Sequence, residues 1–288
     1  MAFLLLLGLC LAPPLWARPG LLYLQLPAGA RGAALAEAGV ALPDVEALAA
    51  NPAALRSRGH TLGLSHGEWV QGARHEYLTL LCGGGRQVLG LAFQLSHAGG
   101  LEHRTGPSAE PLGEFGVYEG VLNLGYARAW GEWLQVGLNL RLLRQSVYTA
   151  AATGAALDLG LLYSLGPDLR LGAALRQLGR MAELKEEATP LPRTLAAGLS
   201  YTGLPRLLCS GELRRADEGI TVHLGAEWQA ASALALRGGY QTAEGRGPSL
   251  GLGLVRDIWG LDYAFVPFSA DLGSAHRLSL YLHRERTR

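Results

Sequence analysis

Leu134-Gln135-Val136-Gly137-Leu138-Asn139-Leu140-Arg141-Leu142 decides the fold class of this chain. Successive side chains of an extended strand point to opposite faces. Leu134, Val136, Leu138, Leu140 and Leu142 therefore share one face, and Gln135, Gly137, Asn139 and Arg141 share the other. A helix would mix the two sets. The pattern recurs in Asp168–Leu178, where Leu169, Leu171, Ala173 and Leu175 oppose Arg170, Gly172, Ala174 and Arg176. Ile220–Gln229 sets Ile220, Val222, Leu224, Ala226 and Trp228 against Thr221, His223, Gly225, Glu227 and Gln229, and Leu278, Leu280 and Leu282 oppose Arg277, Ser279, Tyr281 and His283. The apolar face is rich in Leu and poor in β-branched residues, which suits lipid better than a tight β core. Its Gly-containing opposite lines a lumen.

The links between segments alternate in length. Gly83–Arg86, Trp130–Glu132, Ser164–Pro167, Gly203–Pro205, Ala230–Ser232 and Arg256–Asp257 are short. Gly67–His75, His97–Gly116, Tyr148–Thr153, Gly179–Pro192, Arg215–Gly219, Thr242–Gly247 and Val266–Ala275 are mostly longer. Short turns at one end and longer loops at the other are the layout of an outer-membrane barrel. The fold expected is all-β: a transmembrane antiparallel β-barrel of about 14 strands over residues 59–288, preceded by a small N-terminal plug. With both termini periplasmic, the longer links face outward. Tyr118, Tyr126, Trp130, Trp133, Tyr148, Tyr163, Tyr201, Trp228, Tyr240, Trp259, Tyr263 and Tyr281 lie near segment ends, as interfacial girdles do.

Composition agrees. Charged residues are 17% of the 288, Gly numbers 40 and net charge is +1, which gives no reason to expect a nucleic-acid partner. No mature segment approaches a membrane-spanning helix. Residues 1–17 read as a secretory signal, with an apolar Phe3–Leu11 core and cleavage after Ala17, although no Lys or Arg precedes Arg18. Cys82 and Cys209 then remain on different strands, as small apolar residues rather than a disulfide framework or metal site.

Residues 18–58 stand outside the ladder as a plug or hatch segment. Ala33–Ala41 predicts a short helix, Asp44 a cap for a second one through Val45–Ala50, and Asn51 before Pro52 a turn with a hydrogen-bonding side chain.

Gly29-Ala30-Arg31, Gly39-Val40-Ala41, Asp44 and Asn51-Pro52-Ala53 at this spacing resemble the opening of the PorV/PorQ family, which is related to FadL-type long-chain fatty-acid transporters. Leu224–Trp228, Leu236–Tyr240, Leu261–Phe268, Asp271–Gly273 and His276–Leu280 are similar to its penultimate region and closing hairpin. The resemblance implies a fourteen-stranded barrel with an internal hatch, in which Asn51, Pro52 and Ala53 match a hatch element, in the outer membrane of a Gram-negative-type bacterium. FadL-type members pass hydrophobic compounds through the barrel and out sideways at a strand irregularity. PorV-type members serve type IX secretion and bind exported proteins. The chain departs from the family in its short loops and in its Arg284–Arg288 ending.

Three functions follow. The first is binding or passage of a hydrophobic small molecule, with outer-membrane lipid around the barrel, Asn51, Pro52 and Ala53 in the plug and Arg141, Arg170, Arg176, His223 and Glu227 facing the lumen. The second is an accessory barrel of type IX-like secretion that binds a secreted protein. The third is an outer-membrane acyl hydrolase, for which His223 and Glu227 share a face but Ser65-His66 and Ser96-His97 cannot pair within one strand. The expectation is a protein that is not an enzyme and that uses no metal or cofactor.

Overall fold

The computed structural model describes residues 21–107, 110–185, 187, 189–217 and 219–285. The signal-peptide reading of residues 1–17 lies outside them. The strands are β1 (Gly59–Glu68), β2 (Arg74–Gly84), β3 (Gln87–His103), β4 (Gly113–Trp130), β5 (Leu134–Val147), β6 (Ala150–Ser164), β7 (Leu169–Met181), β8 (Thr194–Leu204), β9 (Leu207–Ala216), β10 (Gly219–Ala231), β11 (Leu234–Gln241), β12 (Pro248–Arg256), β13 (Trp259–Pro267) and β14 (Ser274–Glu285). Each pairs antiparallel with its sequence neighbours, and β1 with β14 closes the ring. Closure leaves no unpaired edge, which a sheet in lipid requires.

The faces fall as the alternation demands. Leu138, Leu140 and Leu142 are 42–45% exposed, whereas Asn139 and Arg141 between them are buried. Trp130, Trp133, Tyr163, Tyr201, Trp228 and Trp259 lie at the short-turn end, and Tyr118, Tyr148, Tyr240 and Tyr263 toward the other. This is an outer-membrane barrel with its leucine belt turned outward. Tyr281 is the exception among the aromatics, because the register of β14 puts it on the lumen side with Ser279 and Arg277.

Three links differ from expectation. The β5–β6 and β9–β10 links shrink to residues 148–149 and 217–218, with Tyr148 at φ 52° forming the first turn. Neither stretch contains Pro, so the ladder simply continues. His97–Gly116 is mostly extra strand, since β3 and β4 run 17 and 18 residues. The wall is thus tall at β3–β7 and short at β11–β13, whose strands are 8–9 residues long.

Residues 21–55 fill the ring. The expected Ala33–Ala41 helix is reduced to α1 (Ala30–Ala34), and Ala36 and Glu37 turn left-handed at φ 50° and 63°. The cause lies on the wall. His223 bonds the Ala36 carbonyl, Arg214 the Glu37 carbonyl, and Glu212 accepts from the Val40 N–H, so the barrel takes groups a helix would have used. The expected helix through Val45–Ala50 is a single 3₁₀ turn at Ala47–Ala49, with Asp44 accepting from the Glu46 N–H at 3.1 Å.

Candidate functional site

Glycines open the space that this segment occupies. Gly137 of β5 faces Gly160 of β6 in register, and Asn51-Pro52-Ala53 packs into the hollow between them. A Cβ on either glycine would collide with the Asn51 side-chain oxygen or the Ala53 amide. Gly172 and Gly198 are likewise paired, and a Cβ there would strike Val40. The lumen glycines are therefore sites of close backbone approach rather than vacant space.

Asn51 is fully buried and uses its whole amide. Its Oδ1 accepts from the Ala53 N–H at 2.9 Å, capping the Pro52–Ala54 turn, while Nδ2 donates to the Val40 carbonyl at 2.6 Å and the Leu161 carbonyl at 3.0 Å. One side chain thus joins two stretches of the plug to β6. Pro52 at the first position of the turn lacks the N–H that would otherwise be orphaned there.

The lumen-facing polar residues act as further bolts. Arg141 bonds Asp158 at 2.5 Å and reaches the Leu48 carbonyl at 3.3 Å. Arg176 donates to the Ala49 carbonyl at 2.6 Å. Glu227 holds Arg31 at 2.8 Å and Arg237 at 2.6 Å, and Arg31 also binds Asp44 at 2.7 Å. Such buried pairs cost desolvation but fix geometry. Arg170 sits apart, lower on β7 at the short-turn end, where Arg56 is its charged neighbour. The sequence did not single out Ser200, Glu212, Arg214, Ser249, Arg277 or Ser279, yet each bonds the plug backbone. Their position on the polar face of each strand was the available signal.

Two plug carboxyls have opposite environments. Despite burial, the Arg214 guanidinium at 2.8 Å holds Glu37 down at about 2. Burial first, then the neighbouring Asp44 carboxylate, pushes Glu46 up to about 8. Glu46 lies over Gly29, where a Cβ would occupy the carboxyl's place.

The outer half of the lumen holds an apolar chamber. Val121, Leu143, Ala152, Ala156, Met181 and Leu191 form it, and the chain's own Leu21, Tyr23 and Leu24 fill it. Beside it the wall is irregular. Gln177 adopts φ 57° at a register shift between β6 and β7, and β7–β8 pairing stops at Arg176 and Thr194. Over the short side, Arg246 lies 4.4 Å above the Trp69 ring and 5.2 Å above the Phe268 ring, and reaches Glu37 at 3.5 Å. Three outer loops are thereby joined to the plug. At the short-turn end a vestibule of about 550 Å³ opens beneath it, lined by Arg31, Arg56, Arg58, Trp259 and His283 among others.

The geometry also bears on hydrolysis. His223 places Nδ1 on the Ala36 carbonyl, so that nitrogen carries the proton, and Nε2 accepts from the Thr221 hydroxyl at 2.8 Å. Nδ1 of His223 and the Glu227 carboxylate hold the plug, and Nε2 is taken by Thr221 of the same strand. Ser65 points inward, while His66 points outward and bonds Glu76. A serine–histidine contact that adjacency in sequence does not reveal joins His75 and Ser96 at 2.7 Å, with no carboxylate bonded to the other His75 nitrogen among the described residues. No group of three or more His, Cys, Asp or Glu is placed to hold a metal ion among those residues.

No protein-family model and no curated protein matches the chain. Solved structures do. The CymD monoaromatic hydrocarbon channel aligns with TM-score 0.69 at 16% identity over 91% of this chain and 98% of that one. The Ralstonia pickettii toluene transporter TbuX gives 0.67 at 16% identity over 90% and 98%. A Pseudomonas aeruginosa FadL homologue gives 0.62 at 12% identity over 90% and 99%. At these identities the likeness is one of fold. It supports the FadL-type side of the resemblance seen in the sequence, and nothing in it supports the PorV/PorQ side.

Proposed function

We propose that this protein is a plugged outer-membrane channel that binds and passes hydrophobic small molecules. The observation that carries the reading is the apolar chamber occupied by Leu21, Tyr23 and Leu24, inside a barrel of FadL-like fold. Those side chains stand where a hydrophobic ligand of similar size would be sheltered from water. Ligand entry displaces them, and burial of the ligand replaces burial of the side chains at little net cost. Asn51-Pro52-Ala53 and the lumen arginines hold the remainder of the plug while this exchange occurs. The cargoes of two of those neighbours, monoaromatic hydrocarbons and toluene, are of the size and polarity that suit such a chamber. The bulge at Gln177, beyond which β7 stays paired with β6 but not with β8, offers the corresponding exit through the wall.

The test is uptake of radiolabelled toluene by cells that express the protein and by cells that do not, together with a Leu143→Trp variant that fills the chamber. Protein-dependent uptake that the variant lowers supports the reading. Uptake equal in expressing and non-expressing cells overturns it.

A further inference from the structure

Half of the unsatisfied buried side-chain polar atoms among the described residues lie on three adjacent strands. Ser65 Oγ, His75 Nε2, Tyr77 OH, Thr79 Oγ1, Arg277 Nε and Nη2, and Tyr281 OH have no hydrogen-bond partner, and they are seven of the fourteen such atoms among the described residues. All belong to β14, β1 and β2. The register stacks them in successive rows across the lumen face: Arg277–Gly67–His75, then Ser279–Ser65–Tyr77, then Tyr281–Gly63–Thr79. The next row, His283–Thr61–Leu81, is already at the vestibule, which Thr61, Tyr281 and His283 line. Facing the rows from the plug is Glu46, whose carboxyl is within reach of the Tyr281 hydroxyl and feels the Arg277 charge, but whose Oε1 makes no hydrogen bond of good geometry.

The plug's fastenings are distributed in the complementary way. Bolts to residues 28–55 come from β5, β6, β7, β8, β9, β10, β12 and β14. Among the described residues, neither β1 nor β2 bonds residues 21–55; Tyr77 and Leu81 meet Leu48 and Leu55 only through apolar contact. A buried polar group without a partner is costly, and water repays that cost as soon as it can enter. Several such groups on one wall, which β1 and β2 leave unbonded to the plug and β14 holds through Arg277 and Ser279 at Ala28 and Ala30, define the weakest seam in the closed lumen.

We propose that the Glu46 side of the plug lifts from the β14–β1–β2 wall, pivoting on its bonds at the Leu48 and Ala49 carbonyls, and that the seam so opened conducts water and small uncharged hydrogen-bonding solutes. This polar route runs from the vestibule past Tyr281, Thr79, Ser65 and His75. It is separate from the apolar chamber near β4–β7, and it does not depend on the identity of the hydrophobic cargo.

Four single-cysteine variants test it, each with Cys10, Cys82 and Cys209 replaced by Ser. Ser65→Cys and Thr79→Cys lie on the seam. Ser200→Cys and Ser249→Cys lie on bolted walls, where the native hydroxyls donate to Ala41 and Ala34 carbonyls at 2.9 Å. All four positions are no more than 4% exposed in the closed state, so static burial does not separate them. Folded protein, selected by heat-modifiable gel mobility, is treated with a water-soluble methanethiosulfonate. The seam cysteines are expected to react about tenfold faster, the factor corresponding to roughly one unsatisfied group's difference in opening free energy. Equal rates, or faster reaction at positions 200 and 249, overturn the proposal. Swelling of proteoliposomes in urea gives a second readout. The proposal expects protein-dependent swelling that Gly67→Leu, which fills the seam against Arg277, reduces; swelling no greater than in protein-free liposomes refutes conduction.

Discussion

Replacing Asn51 by Ala is the sharpest test of how the plug is held. The substitution removes the cap on Ala53 and both donors to the Val40 and Leu161 carbonyls, leaving the Ala53 N–H and the Val40 carbonyl buried without these partners. Loss of an N-cap costs about 0.5–2 kcal/mol, and a buried group deprived of its partner about 1–3 kcal/mol. These terms overlap, so about 3 kcal/mol is a reasonable central value. The loss falls on the plug alone, because no strand pairing between the fourteen strands passes through Asn51. Barrel integrity, measured by heat-modifiable mobility, should therefore be unchanged. Hydrogen exchange of residues 40–55 should accelerate about a hundredfold, since 1.4 kcal/mol is a factor of ten. Asn51→Asp retains an acceptor for the cap but loses both donors, and it should fall between Ala and wild type or below Ala if its charge stays buried. Exchange in N51A within threefold of wild type, with the barrel intact, would refute the view that this residue ties the plug to β6.

Gly160→Val drives a side chain into the Asn51 oxygen and should expel the Asn51-Pro52-Ala53 corner, freeing the backbone at Arg56 and Arg58, whose side chains are already exposed, for cleavage by trypsin, whereas Gly211→Ala, with only a 3.6 Å contact to Leu224, should leave digestion unchanged. Plug protection should depend on pH through Glu46. Its pKa rises on seating from 4.5 to about 8, so the stabilisation is complete below about 4.5 and is lost as pH climbs through 8. Glu46→Gln should flatten that decline in a hydrogen-exchange series from pH 5 to 9. Glu37 runs the other way, since a pKa lowered to about 2 gives stabilisation present above 4.5 and lost only on acidification through 2. Arg246→Ala frees Trp69 and Phe268 and removes a partner of Glu37; one to two kcal/mol of cation–π attraction is at stake, about 0.5–1 per ring, and the Trp69 signal should become several-fold more accessible to acrylamide.

The fold was legible because strand periodicity is a local property. Leu138 and Asn139 report opposite faces whatever lies elsewhere in the chain, and closure follows once every segment alternates. Asn51 was also legible, since an Asn before Pro carries its capping chemistry in two residues. The helices were not. Ala33–Ala41 has helical composition, and only the arrival of His223, Arg214 and Glu212 from strands nearly two hundred residues later diverts its backbone groups. Loop lengths failed for a related reason. Ala150–Thr153 carries no breaker, so its assignment to strand or loop is settled by the partner strand, where Ser146 and Val147 remain in register with Ala151 and Ala150.

The distribution of bonds says more than their number. A plug meant only to seal would be fastened evenly around the ring, because each uneven seam is where thermal opening concentrates. Here polar side chains of β5–β10 hold the Ala36, Glu37, Ala41, Leu48, Ala49 and Leu55 carbonyls, while β1 and β2 offer apolar contact and unsatisfied hydroxyls. Sequence economy does not explain the difference: Ser65, Tyr77 and Thr79 are polar residues on the lumen face, placed as Ser200 and Ser249 are, yet they grip nothing. A wall that is polar but unbonded is poorly suited to a permanent seal and well suited to being wetted. The same side carries the Trp69–Arg246–Phe268 contact at its outer end and the vestibule at its inner end. The closed structure thus marks, through what it leaves unpaired, the side on which it opens.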